Sequence, residues 1–341
     1  MLFEFETPDI PWYSRGGWGF ADKTSFMPER KVEICRLFWR DQAVRTIQTE
    51  AARYEGYHKN MTNYDFGGMV FRVDVKPGAY RIFAECTAGK DKILMSVSGT
   101  HPDKIQDFEY WDAAGLIPNG NRAVWEGNVW SYSFVTGVPY LELEIEPLKP
   151  DVEIGVRKIR IEAIEEAKEK NQNSMPVIYI LGDSTAKSYV FEEAPMSGWG
   201  QCFYRMIDDT KTRIRNYSNG GRSLKSMYME GRLNDLLLNG RKGDYVFLQS
   251  GHNDERARND GVDPDGEQIR YGGGSTEEMY RRFLSEIFAP SIRCRGMVPI
   301  FVTPVTRIDG DCGDNAVFEN SFTNRRFPQI MRETGKKLNI P

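Results

Sequence analysis

The sequence predicts an α/β protein in which an all-β sandwich domain precedes a domain built on a parallel sheet. Apolar side chains recur with a period of two in the first half, and short apolar runs alternate with helical patterns in the second half. A polar stretch without periodicity separates the halves. We therefore expect a sandwich domain over residues 1–165, a linker over 166–174 and a parallel-sheet domain over 175–341. A chain of 341 residues agrees with two domains of about 150 residues each.

The first half carries the pattern of antiparallel strands with one apolar face and one wet face. Over residues 71–76 the odd positions are apolar and the even positions are charged, and similar alternation recurs over 80–86, 141–146 and 158–163. This pattern places Glu142 on the wet face. Several such strands without long helical patterns predict a β-sandwich. Six of the seven tryptophans lie here; they either fill the core, which we favour, or offer rings on which sugars stack.

Four short apolar runs in the second half predict strands of a parallel sheet covered on both faces by helices. The runs are Val177–Leu181, Ile214–Tyr217, Tyr245–Leu248 and Val298–Val302. Between the last two, a capping box at Ser275–Glu278 predicts the start of a helix whose apolar stripe includes Phe283 and Ile287. In such sheets ligands bind beyond the carboxyl ends of the strands, so chemistry is expected there.

Composition and charge argue against several classes of protein. Lys and Arg number 45 and Asp and Glu 49, a net charge of −4, which disfavours binding to nucleic acid or to an anionic membrane. No apolar run is long enough for a transmembrane helix. The first residues lack the basic and apolar regions of a secretory signal, so we expect a cytoplasmic protein unless a leader was removed. Five scattered cysteines and three histidines predict neither a disulfide framework nor a metal site, and we expect no cofactor.

The first predicted strand ends in Gly182-Asp183-Ser184-Thr185. The glycine permits a tight turn, and the serine then stands at the mouth of a helix, where its hydroxyl is exposed and partial positive charge accumulates. A nucleophilic serine needs that placement. The alternative is a helix N-cap, since Asp, Ser and Thr commonly occupy that position.

The next two strands end in similar polar loops. Paired glycines in Gly220-Gly221-Arg222-Ser223 let backbone amides approach a ligand, or the loop is an ordinary turn with Ser223 as a helix cap. In Gly251-His252-Asn253-Asp254 the Asn253 amide is able to donate to an oxyanion, or the residues only shape a turn. Each loop alone predicts little.

Together the three loops resemble the first three sequence blocks of the SGNH (GDSL-like) hydrolases. Gly-Trp-Gly-Gln at 198–201, Gly-Arg-Ser at 221–223 and Thr-Pro-Val-Thr-Arg at 303–307 make residues 176–341 most similar to the rhamnogalacturonan acetylesterase branch. The first half resembles galactose-binding-like β-sandwiches. The resemblance implies a three-layer αβα, flavodoxin-like fold. It also implies a serine carbohydrate esterase that removes acetyl groups from an acetylated oligo- or polysaccharide of the plant cell wall, such as rhamnogalacturonan or pectin.

The resemblance also implies roles for individual residues. Ser184 would be the nucleophile, and the oxyanion hole would consist of the Ser184 and Gly221 N–H groups and the Asn253 amide. Arg222 and Arg307 would bind galacturonate carboxylates, which suit the bidentate geometry of arginine. We expect the other nearby cations, Lys225, Arg256 and Arg258, to be solvated surface charges.

The general base is the missing part of this expected site. The family carries its catalytic Asp and His in an Asp-x-x-His block, yet no histidine follows His252. We expect that the sequence stops before the last strand and that block, and that His252 has a structural hydrogen-bonding role. Two alternatives stay open: a carbohydrate-binding protein with an inactive hydrolase-like domain, and a lipase or thioesterase of the same superfamily.

Overall fold

The computed structural model describes eleven parts of the chain, which form two compact units; the described residues up to 164 belong to the first and those from 175 onward to the second. The described residues are 2–6, 14, 16–21, 69–87, 93–98, 122–125, 129–147, 155–164, 175–254, 277–305 and 326–341. The predicted linker lies outside them, so the domain boundaries stay a prediction. No helix in these parts is long and apolar enough to span a bilayer.

The first unit contains two antiparallel sheets. Its strands are β1 (Leu2–Glu6), β2 (Trp18–Ala21), β3 (Met69–Asp74), β4 (Gly78–Thr87), β5 (Ile93–Ser98), β6 (Arg122–Trp125), β7 (Val129–Thr136), β8 (Tyr140–Pro147) and β9 (Gly155–Ala163). The sheet orders are β1-β9-β4-β7 and β2-β3-β8-β5-β6. The predicted antiparallel strands are therefore confirmed, while a galactose-binding-like sandwich stays a prediction.

Burial follows the predicted period of two. Ile82 on β4 is paired in register with Ile161 on β9, and both are buried, as is Phe71 on β3. Ile82 and Ile161 lie on the same face of their sheet, and Phe71 lies on the buried face of the other sheet. Successive residues of a strand point to opposite sides, which gives the period of two. Trp130 on β7 is also buried, in the core role favoured for the tryptophans.

The burial of Glu142 shows that the predicted exposure of this residue on β8 is wrong. Its side chain is buried, with 3% of the residue exposed, although the alternation predicts exposure. Arg72 lies opposite it in register on β3, and its Nη1 donates to Glu142 Oε1 at 3.2 Å. The same guanidinium lies 3.7 Å from the centre of the Tyr140 ring. A cross-strand arginine and an aromatic ring thus cover a carboxylate that the local pattern alone would leave in water.

The second unit is built on a parallel sheet with the strand order β11-β10-β12-β13. The strands are β10 (Val177–Leu181), β11 (Arg213–Asn216), β12 (Tyr245–Gln249) and β13 (Val298–Val302). The helices are α1 (Trp199–Cys202), α2 (Leu224–Met229), α3 (Arg232–Asn239), α4 (Glu277–Arg282), α5 (Ala289–Cys294) and α6 (Phe327–Leu338), with 3-10 turns at Phe191–Glu193 and Phe203–Met206 and a π-helical segment at Phe283–Phe288. β10 and β13 have the predicted bounds, and β11 begins one residue earlier.

Both faces of this sheet are covered. On one face Ile178 and Ile180 of β10 pack against a cluster that includes Trp199 and Phe203. On the other, the Tyr179 hydroxyl donates to the carbonyl oxygen of Asn239, at the end of α3, at 3.1 Å. The unit is the predicted three-layer α/β domain. Because β10 lies between β11 and β12, its carboxyl end lies where the strand order reverses, and in such sheets ligands bind at that point.

Candidate active site

The turn after β10 holds Ser184 at the carboxyl edge of the sheet. A Cβ on Gly182 would lie 3.1 Å from the carbonyl oxygen of Gln249, so the turn requires glycine. Asp183 is fully buried, and its Oδ1 accepts from the backbone N–H (2.8 Å) and the hydroxyl (2.7 Å) of Thr185. These bonds fix the turn and leave Ser184 partly exposed.

The Gly-Trp-Gly-Gln segment packs directly on the chain that follows Ser184. A Cβ on Gly198 or on Gly200 would collide with the backbone two or three residues after Ser184. The Trp199 N–H donates to the carbonyl oxygen of Thr185 at 2.8 Å, and the indole N–H of Trp199 donates to the buried Gln249 side chain at 2.5 Å. This sequence motif therefore supports the shape of the turn that carries Ser184.

The loop after β11 passes beside Ser184. A Cβ built on Gly220 would lie 3.9 Å from the Ser184 Cβ, and the Asn219 N–H donates to the carbonyl oxygen of Gly182 at 3.0 Å. Gly221 has a φ of +78°, in the left-handed region that favours glycine. The structure thus brings the first two predicted loops together.

The loop after β12 is attached to the second loop. Asn253 is buried, and its Nδ2 donates to the carbonyl oxygen of Arg222 at 3.1 Å. Since an Asn amide nitrogen carries two hydrogens, one of them is left for another acceptor. All three predicted loops therefore meet at one edge of the sheet.

The two backbone donors expected at an oxyanion hole are available for a ligand. Among the described residues, neither the Ser184 N–H nor the Gly221 N–H donates a hydrogen bond to any other group. Most backbone N–H groups in a folded protein have a partner, so two unbonded donors on adjoining loops suit an acceptor brought by a substrate.

Comparison with known proteins identifies the family. No family model matches the chain. The chain is 33% identical over 164 residues to rhamnogalacturonan acetylesterase RhgT of Bacillus subtilis, covering 48% of this chain and 62% of that protein. It is 31% identical over 163 residues to the probable rhamnogalacturonan acetylesterase YesY of the same species, covering 48% of this chain and 67% of that protein. The chain belongs to the rhamnogalacturonan acetylesterase family.

Membership of this family confirms the predicted resemblance to SGNH (GDSL-like) hydrolases. The chain spans less than two thirds of the length of RhgT. Among solved structures, protein YxiM of Bacillus subtilis is 16% identical with a TM-score of 0.38, over the whole of this chain and 84% of that one.

Arg222 has an internal carboxylate partner in this family member. Its Nε lies 2.8 and 3.0 Å from the two carboxylate oxygens of Glu230, and its Nη1 donates to the carbonyl oxygen of Gly220 at 2.8 Å. Sequence reasoning missed Glu230, because no local pattern links residues eight positions apart across a loop and a helix. Binding of a substrate carboxylate by Arg222 stays a prediction.

Ser223 and Lys225 show how α2 begins. The Ser223 hydroxyl accepts from the Ser226 N–H at 3.2 Å, so the helix-cap alternative for Ser223 is confirmed. The expectation of a solvated Lys225 is wrong, since only 1% of the residue is exposed. The first turn of α2 is held against the third loop by a bond from the Leu224 N–H to Asp254 Oδ1 at 3.0 Å, which draws this turn into the protein.

His252 has the structural hydrogen bond that the sequence predicts. The His252 Nε2 lies 2.5 Å from the carbonyl oxygen of Val305, which confirms the expected structural hydrogen bond. This nitrogen must donate, since a carbonyl oxygen only accepts. Arg256, Arg258 and Arg307 lie outside the described residues. Within the described parts no group of three or more acidic, His or Cys side chains is placed to hold a metal ion.

A buried polar layer lies beneath the loops. The Tyr280 hydroxyl donates to the carbonyl oxygen of Ser250 at 2.8 Å, and the Ser250 hydroxyl donates to the Asp254 carboxylate. Burial raises the pKa of Tyr280 well above its ordinary range, and the carboxylates of Asp254 and Asp183 raise it further. The neutral phenol therefore persists at any physiological pH. The sequence pattern did not indicate Tyr280, because its partner lies 30 residues away.

Proposed function

We propose that the protein is a serine carbohydrate esterase that removes acetyl groups from a plant cell-wall polysaccharide such as rhamnogalacturonan. The observation that carries this proposal is the placement of Ser184 beside the Gly221 loop at the switch point of the sheet, where the N–H groups of both residues donate to no other group of the described residues. The names of the relatives RhgT and YesY support both the reaction and the substrate class.

In the proposed reaction the Ser184 Oγ attacks the carbonyl carbon of the acetyl ester. The carbonyl oxygen becomes an oxyanion, which accepts from the Ser184 and Gly221 N–H groups and from the second hydrogen of the Asn253 amide. The C–O bond to the sugar then breaks, and the acetyl group stays on Ser184 until water hydrolyses it. Each such donor is worth about 2.7–4 kcal/mol, because charge develops on that oxygen in the transition state.

The Ser184 proton must pass to a general base and then to the leaving sugar oxygen. Within the described parts of the chain, no side chain hydrogen-bonds to the Ser184 hydroxyl. No hydrogen bond joins the His252 ring to Ser184 among the described residues, and its Nε2 donates to the carbonyl oxygen of Val305. Among the described residues we therefore assign no general base.

Substitution of Ser184 tests the proposal. Ser184→Ala should lower acetate release from acetylated rhamnogalacturonan and from 4-nitrophenyl acetate by about 10³-fold or more, because the covalent route is removed. Ser197→Ala, which alters an exposed serine thirteen residues on, is the matched control and should keep full activity. Equal rates for wild type and Ser184→Ala would refute the esterase. Tight binding of the polysaccharide without acetate release would favour the alternative of an inactive, carbohydrate-binding hydrolase domain.

Substitution of Arg307 tests the acidic substrate. A cation near the pocket favours galacturonate carboxylates but makes no contact with a small neutral ester. We expect Arg307→Ala to raise KM for acetylated acidic oligosaccharides several-fold and to leave KM for 4-nitrophenyl acetate unchanged. Equal changes for both substrates would argue against a carboxylate contact.

A further inference from the structure

A buried ion cluster adjoins the second loop of the candidate site. Glu230 follows the last residue of α2, and its carboxylate is almost fully buried. Its two oxygens accept hydrogen bonds from the Arg222 Nε at 2.8 and 3.0 Å. Its Oε2 also accepts from the Arg232 Nε at 2.5 Å. Taking a carboxylate out of water is costly unless it is paired and hydrogen-bonded, and here two guanidinium groups provide both.

Arg222 links this cluster to the loop after β11 by hydrogen bonds. Its Nη1 donates to the carbonyl oxygen of Gly220, and its own carbonyl oxygen accepts from the Asn253 amide at 3.1 Å. One residue therefore connects the carboxylate at the end of α2, the backbone just before Gly221, and the side chain of the third loop.

Packing places little constraint on the loop at Gly221. A Cβ built there would meet no atom of the described residues within 4 Å. The position of the Gly221 N–H therefore depends on the polar bonds on either side of it, and the bond of Gly220 to Arg222 is one of these.

We infer that Glu230 is a positioning residue: through Arg222 it fixes the Gly221 N–H and the Asn253 amide relative to Ser184. The catalytic part of this inference rests on the proposed function, while the placement of the loop does not. A purely structural role, in which Glu230 only stabilises the end of α2, would change stability without changing the loop or kcat.

Glu230→Gln tests the inference against a matched control. Glu333 on α6 also pairs with two arginines, Arg281 and Arg326, but in an exposed position. In Glu230→Gln we expect kcat for 4-nitrophenyl acetate to fall about 10- to 100-fold, because small misplacements of donor groups are costly, with KM within about twofold of wild type. Glu333→Gln should match wild type in both constants.

A second readout does not depend on activity. NMR order parameters of the Gly220 and Gly221 amides should fall from the rigid value of about 0.85 towards 0.6 in Glu230→Gln and stay unchanged in Glu333→Gln. Arg222→Lys, which keeps the charge but loses the two-pronged geometry, should have the same effects and serves if Glu230→Gln fails to fold. Rigid loop amides together with wild-type kcat in a folded variant would overturn the inference. A wild-type chain that releases no acetate would refute the esterase, while the order parameters would still decide whether Glu230 holds the loop.

Discussion

The carboxyl edge of the parallel sheet and the antiparallel strands of the first unit bury opposite kinds of side chain. At the sheet edge the buried side chains include Asp183, Gln249 and Asp254, each at most 1% exposed. In the antiparallel strands they include Phe71 and Ile161, which are equally buried. Burying a polar group costs energy unless it is hydrogen-bonded, whereas burying an apolar group stabilises the fold.

The contrast shows what each region contributes. The antiparallel strands obtain stability from their buried faces. The sheet edge buries polar groups whose bonds join loops that lie far apart in sequence, as when the Gln249 side chain accepts from the indole N–H of Trp199, 50 residues earlier. Substitutions at the edge should therefore affect the reaction, and substitutions in the strands should affect only stability.

After Ser184, the largest effect should come from the amide of the third loop. We expect Asn253→Ala to lower kcat about 10²- to 10³-fold, because one oxyanion donor is lost. The measurement is the initial rate of 4-nitrophenyl acetate hydrolysis. Asn239→Ala, at the exposed end of α3, is the control and should leave kcat unchanged. A kcat for Asn253→Ala within twofold of wild type would remove Asn253 from the oxyanion hole.

The buried phenol beneath the loops should have the next largest effect. Tyr280→Phe leaves the carbonyl oxygen of Ser250 without its donor, and the free energy of unfolding should fall by about 1–3 kcal/mol in urea titrations at pH 7. Tyr204→Phe, an exposed tyrosine, should change it little. If the unfolding free energy of Tyr280→Phe equals that of wild type, the hydrogen bond from Tyr280 to Ser250 does not stabilise the fold.

The raised pKa of Tyr280 adds a dependence on pH. Because the folded-state pKa exceeds the unfolded value of about 10, the contribution of this group to stability is fully present below pH 10 and is lost as the pH rises further. The phenylalanine variant lacks a titrating group at this position. It should therefore lose less stability than wild type between neutral and strongly alkaline pH, and a parallel loss in the two proteins would contradict this assignment.

The smallest effect should come from the antiparallel strands. Ile161→Val removes one methylene from a buried position on β9, which should cost about 0.5–1.5 kcal/mol of unfolding free energy. The kcat of the folded protein should stay unchanged. Val129→Ala, at an exposed position on β7, should have no measurable effect on either quantity. A tenfold loss of kcat in Ile161→Val would contradict the claim that the antiparallel strands contribute only to stability.

Local pattern was sufficient to predict four strands of the first unit, β3, β4, β8 and β9, and the four strands of the parallel sheet. β10 and β13 begin and end as predicted because each is a continuous apolar run with clear ends, and β10 is buried along most of its length. The three loops were found because their glycines and polar residues follow such runs directly.

The sequence pattern did not predict which charged side chains are buried, because their partners lie far away in the sequence. Glu142 is buried because Arg72, 70 residues earlier, lies opposite it. Lys225 is buried where the loop after β12 and the start of α2 come together in the fold. No period of two or 3.6 carries such information, so charged residues were predicted to be solvated.

A crystal structure of the chain after reaction with an aryl phosphonate tests the central claim most directly, because the adduct mimics the tetrahedral intermediate. We predict phosphorus bonded to the Ser184 Oγ, with one phosphonyl oxygen about 2.7–3.1 Å from the backbone nitrogens of Ser184 and Gly221 and from Asn253 Nδ2. An unmodified Ser184, or an adduct whose oxygen points away from Gly221 and Asn253, would contradict the account.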